Sequence, residues 1–456
     1  MVTIYRQPVG KSWDCAPIGR VRDAAGIESL RLAHSAGHPR AVDLSHERAD
    51  MSLTDDALKR VRRVRSRARR APFIWLAVFG VVVLAALIVV GWLLITWKVN
   101  AFVMAIPALI PLIIVLTAVR WLDRWEPEPP LLLALVAAYG AGASVLGTLW
   151  SGNFLLEVAA NFLVDEDRLD AFSILVQGPL TEELIKGLGI VLVAVIARRE
   201  LNGPLDGFIY AALIGAGFAF TENIIYFANS GSTGIEFVWL LVVRCILSPF
   251  AHALFTGAIG AGIGWAARRS ELWRYLVGGA AGFLVAVVLH VLWNGGSVLV
   301  LPLLGLEPSN PFGWIIYYLL VQVPLFVAAL WALLRLQDQD LDIVRTRLDE
   351  YRRAGWFTSG EVRMITDWST RRAAVKWART QPPAVDEAMR GFIDDATRLA
   401  FAREHAAIDK KDPRRRERER ALLDATREHR LVLNEANARG RAGDAAQSDV
   451  IRSTHD

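Results

Sequence analysis

Cysteine is nearly missing from this chain: among 456 residues there are two, Cys15 and Cys245. Thiols so far apart, one in a polar tail and one in an apolar run, exclude a disulfide framework and a cysteine-ligated metal centre. Histidine is scarce as well, eight in all, and no HExxH pair occurs, which removes the local zinc signature of soluble metalloproteases. No secretory signal is evident, because the first apolar run follows some 70 polar residues and lacks a small-residue cleavage pattern. The N-terminal tail is therefore expected to stay in the cytoplasm. Charge is missing over most of the middle of the chain, since the 21% of residues that are charged crowd into the two ends.

What fills the middle is apolar. The chain is 54% hydrophobic with a mean hydropathy of +0.33, and a hydrocarbon core of about 30 Å needs about 20 apolar helical residues. Eight stretches qualify: 73–96, 100–119, 131–152, 171–197, 205–228, 237–266, 275–295 and 312–334. These predict an all-α, polytopic membrane protein of about eight transmembrane helices. The domain reading is a cytoplasmic tail over 1–70, largely disordered with a basic end, and a membrane domain over 71–335. Helical spacing in LDIVRTRLDEYRRAGW and AMRGFIDDATRLAFAREHAAI predicts a helical cytoplasmic region over 336–435, followed by a disordered tail over 436–456.

Basic residues orient the chain. With the N-terminus inside, the inner flanks hold sixteen (eight between Lys59 and Arg70, then Arg120, Arg124, Arg198, Arg199, Arg268, Arg269, Arg274 and Arg335), whereas the outer flanks hold Lys98 and Arg168. That asymmetry places both termini in the cytoplasm. The run KRVRRVRSRARR ends two residues before a long apolar segment, as an inner flank touching anionic lipid should, so no nucleic-acid partner is expected.

Ionisable groups nevertheless occur inside four successive spans, where each costs about 2.5–3.5 kcal/mol on insertion scales. They are Glu182, Glu183 and Lys186 in GPLTEELIK, Glu222 in GFAFTENIIYF, His252 in SPFAHALFTGAIG, and His290 with Asn294 in VLHVLWNGG. Taken singly, each is explained by an interhelical hydrogen bond or a structural ion pair. Together they supply carboxylates, imidazoles and an amide to one cavity. Glu182 and Lys186 are four apart and can neutralise one another, while Glu183 points about 100° away. One carboxylate can thus be held by Lys186 while the other turns toward Glu222, His252 and His290, although Lys186 could equally orient a reactive Glu182. Such a set can hydrolyse a bond, by a metal-activated water or by a carboxylate acting directly, or can relay protons or ions in a transporter. Spacing alone leaves both uses open.

At these residues the sequence resembles the PrsW family of bacterial intramembrane metalloproteases, relatives of the CAAX-processing and bacteriocin-immunity membrane proteases. The resemblance covers roughly residues 100–335 and rests on EExxK (Glu182, Glu183, Lys186), FxxxE (Phe218, Glu222), the HALFT segment at His252, HxxxN (His290, Asn294) and the stretch DRWEPEPP. The CAAX-processing relatives carry EExxxR and FxxxH instead, so the PrsW branch is favoured. The resemblance implies a bacterial plasma-membrane endopeptidase acting on membrane-anchored protein substrates, with site-1 cleavage of an anti-sigma factor as the family precedent. It implies that Glu182 or Glu183 activates water, that Glu222, His252 and His290 are further catalytic groups or ligands of a divalent metal, zinc first, and that Asn294 donates to an oxyanion.

Helix position converts to depth at about 1.5 Å per residue. Counted from the outer helix ends, Glu222 and His290 lie roughly 8–9 Å deep and Glu183 roughly 18 Å, so the site should open toward the outer half of the bilayer. His252 fits only if the long sixth stretch is broken. Pro249 predicts that break, with 237–247 as an interfacial or re-entrant piece and the spanning helix starting near Ser248. Arg244 then either pairs with Glu222 or stabilises an oxyanion.

Overall fold

The computed structural model describes residues 73–453, except 231–233, 270, 308–309 and 409–412. The tail over 1–70, its basic run and Cys15 lie outside the described residues. Among the described residues there is no β-strand, and seven helical segments are long and apolar enough to cross a membrane. The chain is an all-α, multi-pass membrane protein. The fourth expected span is helical too, over Gly178–Ile196; its three charged residues set it apart from the other seven.

Two units make up the chain, divided between Asp340 and Leu341. In the first, α1 (Phe73–Trp97), α2 (Val99–Leu122), α3 (Pro130–Ala160) and α4 (Gly178–Ile196) precede α5 (Pro204–Asn229). Then come the short α6 (Ile235–Leu241), α7 (Ala251–Ala267), α8 (Leu272–Gly295), the short α9 (Pro311–Tyr317) and α10 (Val323–Arg353). The expected break in the sixth stretch is present: a π-helical turn over Val242–Leu247 ends at Ser248, and α7 starts two residues beyond Pro249.

α5 is the central post. Every residue from Pro204 to Phe218 is buried, and its most extensive partner is α7, which also packs along α8. Lipid tails are as apolar as leucine, so such helices associate through close van der Waals packing rather than through a hydrophobic drive. Glycine supplies the closeness here: a Cβ on Gly260 of α7 would collide with the carbonyl oxygen of Gly207 in α5, and one on Gly207 with that of Gly260. Gly215 meets the backbone of His252 in the same way, and that contact sets where His252 stands.

DRWEPEPP connects α2 to α3 and is tied to the N-terminal end of α5. Tyr210 donates to Glu128, Asn202 Nδ2 donates to Glu126 Oε1 at 2.9 Å, and the Glu128 backbone N–H donates to Asp123. Burial pushes the Asp123 carboxyl up to about 7, against the opposing pull of that N–H and of Arg120.

The second unit has its own core. Leu348, Ile365, Ala374, Phe392 and Leu399 are among its buried residues, drawn from α10, α11 (Ser359–Thr366), α12 (Trp368–Ala378) and α13 (Pro383–Ile408). A capping box starts α11, with Thr358 and Glu361 satisfying each other's backbone N–H. The last helix, α14, runs Pro413–Ser453. It therefore carries helical backbone through most of the stretch from 436 that the sequence reading leaves disordered, in keeping with a composition rich in Ala, Arg and Glu.

Candidate active site

Lys186 is the hub. It is fully buried, and its ammonium donates to Glu183 Oε1 at 2.7 Å, to Glu182 Oε2 at 3.2 Å and to His252 Nδ1 at 3.2 Å. An ammonium has three donors, so all are used. Its remaining face lies on the Phe218 ring, 4.3 Å from the centroid. The division expected from helix geometry, Glu182 on the lysine and Glu183 turned away, does not hold. Both carboxylates reach it, because a long flexible side chain can gather partners at i−3 and i−4 together.

What separates the two glutamates is their other contacts. Glu183 is buried and accepts three hydrogen bonds in all: Oε1 also accepts from His290 Nδ1 at 3.0 Å, and Oε2 accepts from Thr256 at 2.9 Å. Glu182 keeps 12% of its side chain exposed, and its Oε2 stands 3.9 Å from both His252 Nδ1 and His290 Nε2. Glu222 Oε2 accepts from His252 Nε2 at 3.0 Å and from Arg244 at 2.6 Å. Arg244 also reaches Asn223 at 3.3 Å and lies on the Tyr226 ring, 3.7 Å from its centroid.

These partners fix the imidazoles. His290 gives its Nδ1–H to Glu183 and presents Nε2 as a lone pair toward Glu182. His252 gives its Nε2–H to Glu222 and presents Nδ1. Each histidine is thus oriented by a carboxylate of its own, and His290 Nε2 and His252 Nδ1, the latter accepting from Lys186, both stand close to the Glu182 carboxylate; the rings lie 5.3 Å apart and nearly perpendicular. Three carboxylates face two cations, Lys186 and Arg244, so the group retains a negative excess.

This donor set fits a divalent ion. Glu182, Glu183, His252 and His290 bring potential ligand atoms within 4.8 Å of one another. Donors bound to one zinc at about 2.0–2.2 Å cannot lie more than about 4.4 Å apart, and the 3.9 Å separations from Glu182 satisfy that limit. Glu183 already accepts three hydrogen bonds, whereas Glu182 accepts from Lys186 alone, so the ligands would be Glu182, His252 and His290, with Glu183 and Glu222 as the outer carboxylates that metal-binding histidines need. Of the expected ligands Glu222, His252 and His290, Glu222 is paired with Arg244 and with the far nitrogen of His252. Lys186 would compete with a bound ion at both Glu182 and His252.

Asn294 stands apart. Its amide donates to the Ile174 carbonyl at 3.2 Å, an acceptor in the π-helical turn Ser173–Gln177 that leads into α4. A second π-helical turn, Val242–Leu247, carries Arg244 to Glu222. Such turns add one residue to a helical register and expose carbonyls. Thr256 was missed from the sequence, although it lies one turn beyond His252 within HALFT and so shares its face. Glu183 and His290, placed about 9 Å apart in depth by counting from helix ends, bond directly. Helix ends do not share a level, and counting along one helix cannot register it against another.

The fold is that of a polytopic helical membrane protein, and the site is one of paired carboxylates and histidines inside its bundle. Residues 128–329 match the family model described as PrsW family intramembrane metalloprotease. Over 164 residues the chain is 32% identical to "Protease PrsW" of Clostridioides difficile, covering 36% of this chain and 64% of that protein. Over 172 residues it is 28% identical to the protein of the same name from Geobacillus kaustophilus, covering 38% of this chain and 69% of that protein. A third relative so named, from Oceanobacillus iheyensis, is 28% identical over 137 residues, 58% of its length. The chain thus spans just under two thirds of the first of these relatives. No solved structure matches.

Proposed function

We propose that this chain is an intramembrane endopeptidase that hydrolyses a peptide bond of membrane-anchored protein substrates. The observation that carries the reading is the convergence of two carboxylate-oriented imidazoles on Glu182, the one of the two adjacent glutamates left partly open. The PrsW match over the same helices supports it. Glu182 takes the proton of the attacking water on the carboxylate oxygen that Lys186 does not hold and returns it to the leaving amine, and Lys186 is the cation nearest the developing oxyanion. Asn294 would have to release the Ile174 carbonyl to serve that role. A divalent metal, zinc by donor type, would be held by Glu182, His252 and His290, and would supply a water of lowered pKa and a polarised carbonyl. On the basic-residue asymmetry both termini are cytoplasmic; the membrane is the bacterial plasma membrane by the family resemblance, and with Glu222 and His290 near the outer ends of α5 and α8 the site opens to its outer half. An anti-sigma factor cut at site 1 is one substrate of the right class.

Ion or proton transport is the competing use, and the packing speaks against it. A second polar group, around Glu128 and Tyr210, lies at the other end of α5. Between the two, residues 211–218 are apolar and buried without interruption, about 12 Å of helix offering no relay. The deciding experiment places purified protein in liposomes with a single-span reporter. Glu182→Gln, Glu222→Gln and His290→Ala should each cut cleavage at least about 100-fold, and a chelator should do the same to the wild type. Full cleavage by all three variants would end the assignment; loss in the variants with chelator-insensitive wild type would remove the metal from it.

A further inference from the structure

A cavity of about 500 Å³ opens where the C-terminal end of α5 meets α6 and α9, within the range of roughly 300–1,000 Å³ typical of ligand pockets. Tyr226, Trp239 and Trp314 give it aromatic walls, and Glu236 gives it a carboxylate; among the described residues no lysine, arginine or histidine lines it. Its aromatic wall is braced. Trp314 meets Trp239 edge-on at 5.7 Å and Trp293 at 5.9 Å, and stacks on Tyr318 at 5.5 Å. Through Tyr226 the cavity adjoins the site, for that ring carries Arg244, which holds Glu222, which holds His252.

An interfacial aromatic belt accounts for tryptophans at helix ends. It does not account for an acidic side chain lining a cavity with three aromatic walls. That combination is the chemistry of cation recognition: ring faces attract an ammonium or guanidinium, and the carboxylate completes the pairing. Arg244 already lies on Tyr226, but its charge is taken up by Glu222 and does not oppose a second cation.

We propose that this cavity is a specificity subsite for a lysine or arginine side chain flanking the scissile segment of the substrate, with Glu236 as its charge partner and Trp239 and Trp314 as its walls. The proposal rests on the endopeptidase reading for its occupant. In the proposed topology the cavity is at the outer end of α5, and outer flanks of membrane proteins are poor in basic residues. A lysine there is a mark that few proteins carry.

The test uses single-span reporters that differ only in one outer-flank residue, scanned as Lys, Ala or Glu. Wild type should cleave the best-placed Lys reporter with a KM about tenfold below the Ala reporter, and Glu236→Lys should reverse the order so that the Glu reporter is preferred. Equal KM values for the three reporters, or an unchanged order in Glu236→Lys, would overturn the subsite. Binding of the same reporters to Glu182→Gln protein in nanodiscs reads it without cleavage, and the Kd order should match. If no reporter is cut but that Kd order appears, the endopeptidase reading fails and the subsite stands; equal Kd values sink the subsite whatever the cleavage.

Discussion

Glu182 and Glu183 are adjacent and chemically identical, yet burial gives them different consequences. Glu183 is fully enclosed and serves Lys186, His290 and Thr256 at once. Replacing it with Gln leaves a buried ammonium short of its closest counter-charge, and breaking such a pair costs about 3–5 kcal/mol. Glu182, with 12% of its side chain exposed, leaves Lys186 still paired with Glu183 when it is neutralised, and the loss should be smaller. Both variants should lose cleavage, but only Glu183→Gln should show a large drop in thermal stability in detergent. Equal drops would mean that Glu182 is as structural as Glu183. A smaller effect belongs to Thr256→Val, which removes the hydroxyl that donates to Glu183 and should cost about 1–3 kcal/mol by the same melt.

Among the helices, the contact that matters most is α5 against α7, because it sets His252 relative to Glu222. The contact is made backbone to backbone, so it tolerates nothing larger than glycine at its closest points. Gly260→Val should drive the Gly207 carbonyl away and destabilise the bundle by about 1–3 kcal/mol or more, read as loss of monodisperse protein after solubilisation. Gly80→Ala in α1, where an added Cβ meets nothing within 4 Å, should be neutral, and helix propensity even favours it. The break at Ser248–Phe250 is legible in the sequence for a related reason. Proline cannot continue the ladder of hydrogen bonds, and an arginine in a hydrocarbon span needs a partner. That the partner is Glu222, rather than an oxyanion, came only from the packing.

At the scale of the whole molecule, the two units differ in what holds them together. The membrane unit turns many large apolar residues outward, among them Leu87, Phe102, Ile106 and Leu284, where lipid takes them. The second unit turns its large apolar residues inward, with Leu348 and Leu399 fully buried, as water requires. A fragment from Leu341 onward should therefore fold without the membrane unit, giving helical circular dichroism and a cooperative thermal transition in detergent-free buffer. A fragment that stays unfolded would show that its core depends on the rest of the chain.

Several features of this protein follow from its sequence alone. Long apolar runs dictate helices, since only a helix satisfies its backbone in hydrocarbon. The costly residues within those runs, Glu182, Glu183, Lys186, Glu222, His252 and His290, mark the site because hydrocarbon penalises each one. Partner choice was decided only by the tertiary structure. Lys186 gathers both glutamates and His252, Glu182 replaces Glu222 between the imidazoles, and Asn294 turns to Ile174. None of these is a matter of residue type or spacing within a helix. They depend on how far each helix is shifted along its neighbours, and glycine contacts and π-helical turns set that shift.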